Sequence, residues 1–554
     1  MEKPSPTYVQ GQSLTFLDSF DKIAEKFPER DACIVYHAKD VREAVTFSEL
    51  RKQSIQFAIM LLTKGLRKGD IVGLLSTNSV DFVVAFLGLS RIGAPVLMLR
   101  YGSTAEEVCR LLTKHDCKGL VGSIYSERDA DVITNIEQKM SREHRNNTFV
   151  VISQILIDKR SVSCSSKTDH EDTNLSHIPE EMHFPKVGPD DACAIFFTSG
   201  STGEPKAIQN NHRAFVARTR IMREFSFTET ASFFNDRPMA WTGGAYTILN
   251  MCIFGTCAVT INSNFTVASG EVDFVMTILR DEKCTHAILM NYLLVDFMHS
   301  NNPNNKPSHL KYVLTGGQKA DHASLVHVLT ALPTITLVYL YGVGEAGIVL
   351  YQCHTDTSTL DDDGFNIHQG ADIKLINSSG ETVEPGASGE ICIRSPALFE
   401  GYHNNSEATS KARLPDNWFR SGDVGVKRQD GRIVLLGRSD DMIKRATVKV
   451  FPVEVERVLR QHPCIKEVVV VGVPDQRLFE DLCACIIPRD PEAFDEADFL
   501  IWCKAQFSVG PDGLSLAPTY VLVFDQYPKT RTGKTSRKDL KEEAKKRVHI
   551  VSSK

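Results

Sequence analysis

Residues 192–206 read Ala-Cys-Ala-Ile-Phe-Phe-Thr-Ser-Gly-Ser-Thr-Gly-Glu-Pro-Lys. The apolar run Ala192 to Phe197 has the length and composition of a buried strand. The polar run after it carries hydroxyls at Thr198, Ser199, Ser201 and Thr202, glycines at Gly200 and Gly203, and a cation at Lys206. A loop of this kind can wrap a polyphosphate. Glycines let backbone N–H groups approach closely, hydroxyls donate hydrogen bonds, and the lysine adds positive charge. It is not a Walker A loop, which needs two glycines five positions apart followed at once by Lys-Ser/Thr. Taken alone it also reads as an ordinary polar turn.

Upstream, strand and helix patterns alternate. Ile71 to Ser76 reads as a strand, and Asn78 or Ser79 as the cap of a helix carrying Phe82, Val83, Phe86, Leu87 and Leu89. Gly93-Ala94-Pro95 stops that helix, and Val96 to Leu99 starts a second strand. This βαβ pattern predicts a parallel sheet in an α/β layered fold. Residues 160–190 are polar and aperiodic, a surface excursion or linker ahead of the loop.

Downstream, Val424 to Lys427 and Arg432 to Leu436 read as a hairpin around Asp430-Gly431. Pro452 opens a helix, Ile465 to Val473 reads as a strand, and a domain boundary is expected near Asp440. The division is therefore 1–437 and 438–554.

The chain has 554 residues, more than one core accommodates, and its 42% hydrophobic and 24% charged composition is that of a globular protein. With 63 basic against 69 acidic residues and a net charge of −6, no basic excess points to nucleic acid. The 14 cysteines are scattered through mostly apolar runs without a C-x-x-C pair, as expected of buried thiols in a reducing compartment rather than of a zinc site. The stretch Phe82 to Leu99 is interrupted by Arg91 and Gly93-Ala94-Pro95, so no integral membrane segment is expected. No apolar leader follows Met1, and Ser552-Ser553-Lys554 lacks the leucine of a peroxisomal Ser-Lys-Leu signal. The expected compartment is the cytoplasm, with the peroxisome as the alternative.

Further segments have the chemistry of a nucleotide site. Tyr341-Gly342-Val343-Gly344-Glu345 follows the apolar run Ile335 to Leu340 and offers a ring, glycines and a carboxylate. Ser421-Gly422-Asp423 offers a carboxylate for ribose hydroxyls, and Pro528 to Lys534 ends on a lysine near the C-terminus. Singly, each also reads as solvated surface.

In their order along the chain, these segments resemble the adenylate-forming superfamily: acyl-CoA synthetases, 4-coumarate-CoA ligases, firefly luciferase and peptide-synthetase adenylation domains. The resemblance runs from Thr46-Phe47-Ser48-Glu49-Leu50 to Lys534. Pro238 to Gly244 is similar to the substrate-side aromatic motif, with Trp241 where histidine or another aromatic is usual. Thr315-Gly316-Gly317 is similar to the adenine-side glycine pair, and Tyr341 to Glu345 to Tyr-Gly-x-Thr-Glu. Gly389 to Arg394, Gly401-Tyr402, Ser421 to Asp423, Gly437-Arg438 and Asp440 to Lys444 complete the series.

The resemblance implies a large layered αβ N-terminal domain with a distorted barrel subdomain, and a small mobile α+β C-terminal domain. It implies ATP, Mg²⁺ and coenzyme A as cofactors and a small-molecule carboxylate as substrate, with oligomeric state left open. Thr198, Ser199, Gly200, Ser201, Thr202, Gly203 and Lys206 would steer phosphates, and Glu345 would hold Mg²⁺. Gly316, Gly317, Tyr341 and Gly342 would border the adenine, and Asp423 with Arg438 the ribose. Trp241, Gly243 and Gly244 would line the acid's pocket. Lys534 would bridge carboxylate and α-phosphate. Asp440 would be the hinge that exchanges Lys534 for a second catalytic face bearing Lys444.

Two positions depart from the pattern. Gly344 replaces a threonine, removing a hydroxyl whose loss costs roughly 0.5–1.5 kcal/mol. Thr447 stands where glycine is common, which narrows a passage for the thiol. An adenylating enzyme with another acceptor, luciferase-like, and a catalytically reduced nucleotide-binding homologue are the competing readings. The acid is expected to be a medium-sized apolar or aromatic carboxylate.

Overall fold

Three sheets carry the chain in the computed structural model, which describes residues 15–142, 148–154, 183–198, 205–262, 272–298, 306–317, 322–445, 448–475, 477–507, 515–530 and 535–552. Most of the polar excursion at 160–190, the loop residues Ser199 to Glu204, Thr447 and Lys534 lie outside the described residues.

The first sheet has seven strands. Ala192–Thr198, Val96–Met98, Val72–Leu75, Gly119–Ile124 and Thr148–Gln154 run parallel. Lys206–Asn211 returns antiparallel beside Ala192–Thr198, and Gly401–Tyr402 pairs with it at the edge. The expected βαβ unit is present, with Val72 opposite Val96 and the helix Val80–Arg91 between the strands. Ser79 is the cap, its hydroxyl accepting from the Phe82 N–H at 3.1 Å. This helix is buried on every side, as an all-round apolar helix must be. Its residues share one core with Cys33, Val35 and Ala258 of the second sheet. That packing between layers, rather than a bilayer, accounts for the apolar run 82–99.

The second sheet has fourteen strands. Its parallel part is Thr336–Val343, Tyr312–Gly316, His286–Ile288, Ser232–Asn235, Cys257–Ile261 and Asp31–Ala38. From Gly347–His354 onward the neighbours are antiparallel: Gly364–Ile367, Ile433–Arg438, Trp418–Lys427, Ser388–Arg394 and Asp372–Ile376. This antiparallel extension is the region expected as the distorted barrel subdomain. One boundary moves. The strand expected to begin at Val424 begins at Trp418, so Ser421-Gly422-Asp423 lies inside it rather than before it. Gly422 adopts φ +73 there, a left-handed residue that interrupts the alternation which would have revealed the strand.

The two parallel runs meet at their carboxyl ends. The Thr77 hydroxyl donates to Asn262 at 2.7 Å, and the Asn78 amide to the Ile261 carbonyl at 3.2 Å, joining the exit of Val72–Leu75 to that of Cys257–Ile261. In open α/β sheets this edge is where ligands bind.

The third sheet is small: Val448–Val450, Ile443–Arg445, Phe479–Pro488, Ile465–Asp475 and Tyr520–Val523, with the helices Pro452–Leu459, Glu496–Gln506 and Arg537–Ser552. It rests on the second sheet through an apolar contact of Phe451 with Val424 and Leu436. Its interior is pinned by Glu456, which is 1% exposed. Its carboxylate accepts from Arg537 at 2.5 Å, Arg460 at 3.0 Å and the Val470 N–H at 3.0 Å. Burial pushes this carboxyl up, but the two guanidinium groups and the backbone donor outweigh it and hold it below the ordinary glutamate range.

A depressed carboxyl contributes stability that is complete above its unfolded pKa and lost as pH falls through the folded value. Glu456→Gln should therefore cost about 3 kcal/mol at neutral pH by removing the buried charge that pairs two half-buried guanidinium groups. The gap to the parent protein, measured by chemical denaturation, should narrow as pH drops below about 4, the ordinary glutamate value.

Candidate active site

Glu345 sits at the tip of a tight hairpin. Val343 and Gly347 are cross-strand partners, leaving Gly344, Glu345 and Ala346 as a three-residue loop. Gly347 takes φ +72, the left-handed closing residue that such loops require. A side chain at Gly342 would meet the Gly347 carbonyl at 2.4 Å, so the turn needs a bare backbone there too.

Thr198 and Lys206 are cross-strand partners at the mouth of the other hairpin, whose connection is the Ser199 to Pro205 segment. Lys206 Nζ lies 4.8 Å from the centroid of the Tyr402 ring. The Tyr402 hydroxyl donates to Glu345 Oε1 at 2.7 Å. Burial and the Glu345 carboxylate raise its pKa strongly, so it remains a donor. The chain beside it is fixed as well, the Phe399 N–H donating to the Glu345 carbonyl at 2.8 Å. One tyrosine thus joins the lysine of one sheet's hairpin to the carboxylate of the other's.

Beneath this contact lies Arg218, 3% exposed. It donates to Asn210 Oδ1 and to the Gly344 carbonyl, both at 2.7 Å. Burial lowers its pKa, yet it brings positive charge under the Glu345 hairpin. Gly344 is tightly enclosed: a Cβ there would lie 2.8 Å from Ile208 Cδ1 and 3.0 Å from Thr198 Cγ2. The space of the missing threonine side chain is filled by apolar groups, so the substitution is built into the packing.

The adenine-side candidates lie one strand away. A side chain at Gly316 would meet the Leu340 carbonyl at 2.3 Å. The Tyr341 hydroxyl donates to Asp423 Oδ2 at 2.6 Å, and Arg438 Nη1 lies 3.4 Å from Asp423 Oδ1. Gly422 lets this arginine in, since a Cβ there would stand 2.7 Å from Arg438 Nη2. Burial raises the Asp423 carboxyl despite the opposing pull of Arg438 and Tyr341, and burial likewise raises the Tyr341 phenol.

The acid-side segment is anchored by asparagines. Asn78 accepts from the Met239 N–H at 2.7 Å and donates to the Arg237 carbonyl at 3.0 Å, while Asn235 donates to the Gly243 carbonyl at 3.1 Å. A Cβ at Gly244 would fall 1.9 Å from the Pro238 carbonyl oxygen, so this bend admits only glycine. Trp241 is half-buried and Gly243 exposed. Adjacent to them, Asp236 and Arg237 form a bidentate ion pair, and Tyr292 binds both.

Thr198, Lys206, Gly344 and Glu345 are therefore brought together around Tyr402, and Tyr341, Asp423 and Arg438 are linked to one another on the neighbouring strands. Lys444 lies on the small sheet, exposed, its backbone N–H donating to Glu480 at 2.9 Å. Asp440 lies in the short turn Ser439–Asp441 between the second and third sheets. Four residues of this neighbourhood are not singled out by the sequence. Arg218, Asp236 and Tyr292 carry no local signal. Tyr402 stands in a motif that assigns it no role.

The chain matches the family described as AMP-binding enzyme over residues 20–403, and the AMP-binding enzyme C-terminal domain over residues 454–534. It is 28% identical over 535 residues to an oxalate–CoA ligase of Arabidopsis thaliana, covering 94% of this chain and 96% of that one. It is 24% identical to the mitochondrial medium-chain acyl-CoA ligase ACSF2 of Rattus norvegicus, covering 98% and 91%. The fold is shared with amide bond synthetase McbA of Marinactinospora thermotolerans (TM-score 0.77, 22% identity, 96% and 99% covered). It is shared equally with ATP-bound MatB of Rhodopseudomonas palustris (TM-score 0.77, 20% identity, 96% and 99% covered). With the first of the two matches spanning well over half its length, this protein belongs to the AMP-binding enzyme family.

Proposed function

We infer that the protein is an AMP-forming acid–thiol ligase. The carboxylate of an organic acid attacks the α-phosphorus of ATP, pyrophosphate leaves, and an acyl-AMP forms. The sulfur of coenzyme A then attacks the acyl carbonyl and AMP departs. Negative charge builds on oxygen in both steps, so the catalyst needs fixed donors and cations rather than a covalent nucleophile. The observation that carries this reading is the Tyr402 bridge, which holds Lys206 and Glu345 close together.

In this reading Lys206 and the loop before it hold the β- and γ-phosphates. Asp423, braced by Tyr341 and Arg438, takes the ribose hydroxyls, and Gly316-Gly317 borders the base. Glu345 suits Mg²⁺, which commonly takes one or two carboxylates and fills its shell with phosphate oxygens and water. When bound, the ion would neutralise phosphate charge. Trp241, Gly243 and Gly244 line the acid's pocket. The chain divides at 437/438. Asp440 is the hinge about which the small domain turns, bringing Lys534 for adenylation and the Lys444 face for thiolysis. The relatives' names make oxalate and medium-chain fatty acids the first acids to test, and the amide synthetase neighbour makes an amine the acceptor to test against coenzyme A.

An acid panel read by pyrophosphate and AMP release, with and without coenzyme A, tests the reading. Acid-dependent AMP release that rises when coenzyme A is added is expected, and no acid-dependent pyrophosphate with any acid refutes it. Lys534→Ala should abolish most acid-dependent pyrophosphate exchange at an unchanged melting temperature. A near-parental exchange rate would remove that lysine from the mechanism. Tyr402→Phe keeps the ring under Lys206 and deletes the hydrogen bond to Glu345. It should raise KM for magnesium-ATP about tenfold, the equivalent of one lost bond to a charged group, and leave KM for the acid unchanged.

A further inference from the structure

Three arginines are buried among the described residues, and two of them face a carboxylate. Arg91 is ion-paired to Asp21 at 2.6 Å and Arg445 to Asp481 at 2.7 Å. Arg218, the most deeply buried at 3% exposure, is different. Among the described residues no carboxylate lies within ion-pair distance of it. Its Nη2 makes both of its hydrogen bonds, to the neutral oxygens of Asn210 and Gly344, and its buried Nε has no partner among those residues. The groups that pull on its charge are Tyr246, Glu345 and Cys193. Burial pushes the tyrosine and the cysteine up, so both stay neutral and Glu345 is the one anion of the three.

Taking a cation out of water is costly, and buried charges are ordinarily paired. The fold does not require a charge here. Holding the Gly344 carbonyl takes one donor, and a neutral amide supplies donors as well. What the side chain does for the fold is mechanical. Its Nη2 binds the Gly344 carbonyl, and a Cβ at Gly347 would lie 3.2 Å from its Cγ. The loop that presents Glu345 is therefore gripped at both ends, and the positive charge is left over. Its surroundings are those assigned to the nucleotide. A Cβ at Gly344 would lie 3.0 Å from Thr198 Cγ2, and Thr198 is the cross-strand partner of Lys206. A polyphosphate held by that hairpin brings the counter-charge that the protein withholds.

We propose that Arg218 is a positioning residue of the adenylation site, a buried cation whose counter-charge arrives with the phosphates of ATP. It fixes the Glu345 turn through the Gly344 carbonyl, and its field favours the anionic nucleotide across a poorly screened interior. The uncompensated charge is a stability cost kept for binding. This inference rests on the ATP part of the proposed function and is independent of the acceptor.

The test uses the full-length protein with Arg218→Gln, which keeps a donor and removes the charge, and Arg218→Lys, whose ammonium can make both bonds as the single Nη2 does. Melting temperature is measured without ligand and with ATP, with and without Mg²⁺. KM for magnesium-ATP and for the acid are measured by acid-dependent pyrophosphate exchange. Without ligand, Arg218→Gln should melt at or above the parental temperature, because no buried charge is left uncompensated. Its stabilisation by ATP should be largely lost, and its KM for magnesium-ATP should rise about tenfold at an unchanged KM for the acid. Arg218→Lys should recover most of both. An Arg218→Gln protein that melts below the parent or fails to fold, that keeps the parental response to ATP, or that raises both KM values equally overturns the proposal. So does an Arg218→Lys protein indistinguishable from Arg218→Gln. If no acid supports pyrophosphate exchange but stabilisation by ATP still depends on Arg218, the ligase reading falls and this assignment stands. Exchange whose KM for ATP is indifferent to Arg218→Gln sinks the assignment alone.

Discussion

The site is organised by one side chain that joins two sheets. Tyr402, on the edge strand of the seven-stranded sheet beside the strand that begins at Lys206, places its ring under the Lys206 ammonium while donating to Glu345 at the hairpin of the large sheet. A lysine and a carboxylate that met directly would neutralise each other. With a phenol between them, the cation keeps a π-face contact of modest strength and the carboxylate keeps an oxygen for another partner. Both charges remain available to a ligand that carries phosphate and metal, which is what an ATP-dependent ligase needs of its resting site.

The rest of the fold supplies rigid backing for that contact. The parallel strands of two sheets end on the same edge, and the turns leaving them are tied by buried polar side chains rather than left as free loops. Asn78 and Asn235 hold the acid-side bend, Arg218 holds the Gly344 carbonyl, and Arg438 passes beside Gly422 to reach Asp423. Buried polar groups are stabilising only when partnered. For Asn78, Asn235 and Arg218 the partners include backbone carbonyls and N–H groups of the functional turns themselves, so satisfying the core and positioning the site share these hydrogen bonds.

The small domain is built on different terms. Its centre is a buried carboxylate shared by two arginines, a strongly directional arrangement, while its contact with the large sheet is a modest apolar patch around Phe451. Gly344, one of the departures from the family pattern, is absorbed by close packing against Ile208 and Thr198.

Local chemistry makes much of this legible in the chain alone. The apolar period of 80–91, its Ser79 cap and the stop at Gly93 require only neighbouring residues, and so do the hydroxyl-rich loop and the Gly-rich turn that presents Glu345. The strand from Trp418 reads too short because one left-handed glycine breaks its alternation. What the sequence by itself determined was therefore the elements, their order, the family and the inventory of charged groups, because these follow from interactions within a few residues. Only the tertiary structure decided that Tyr402 bridges Lys206 and Glu345, that Arg218 lies beneath them, and that a side chain at position 344 would press on the methyl groups of Ile208 and Thr198. Those facts depend on contacts between segments remote in the chain, whose register is set by packing two sheets around one helix layer and leaves no trace in any local stretch.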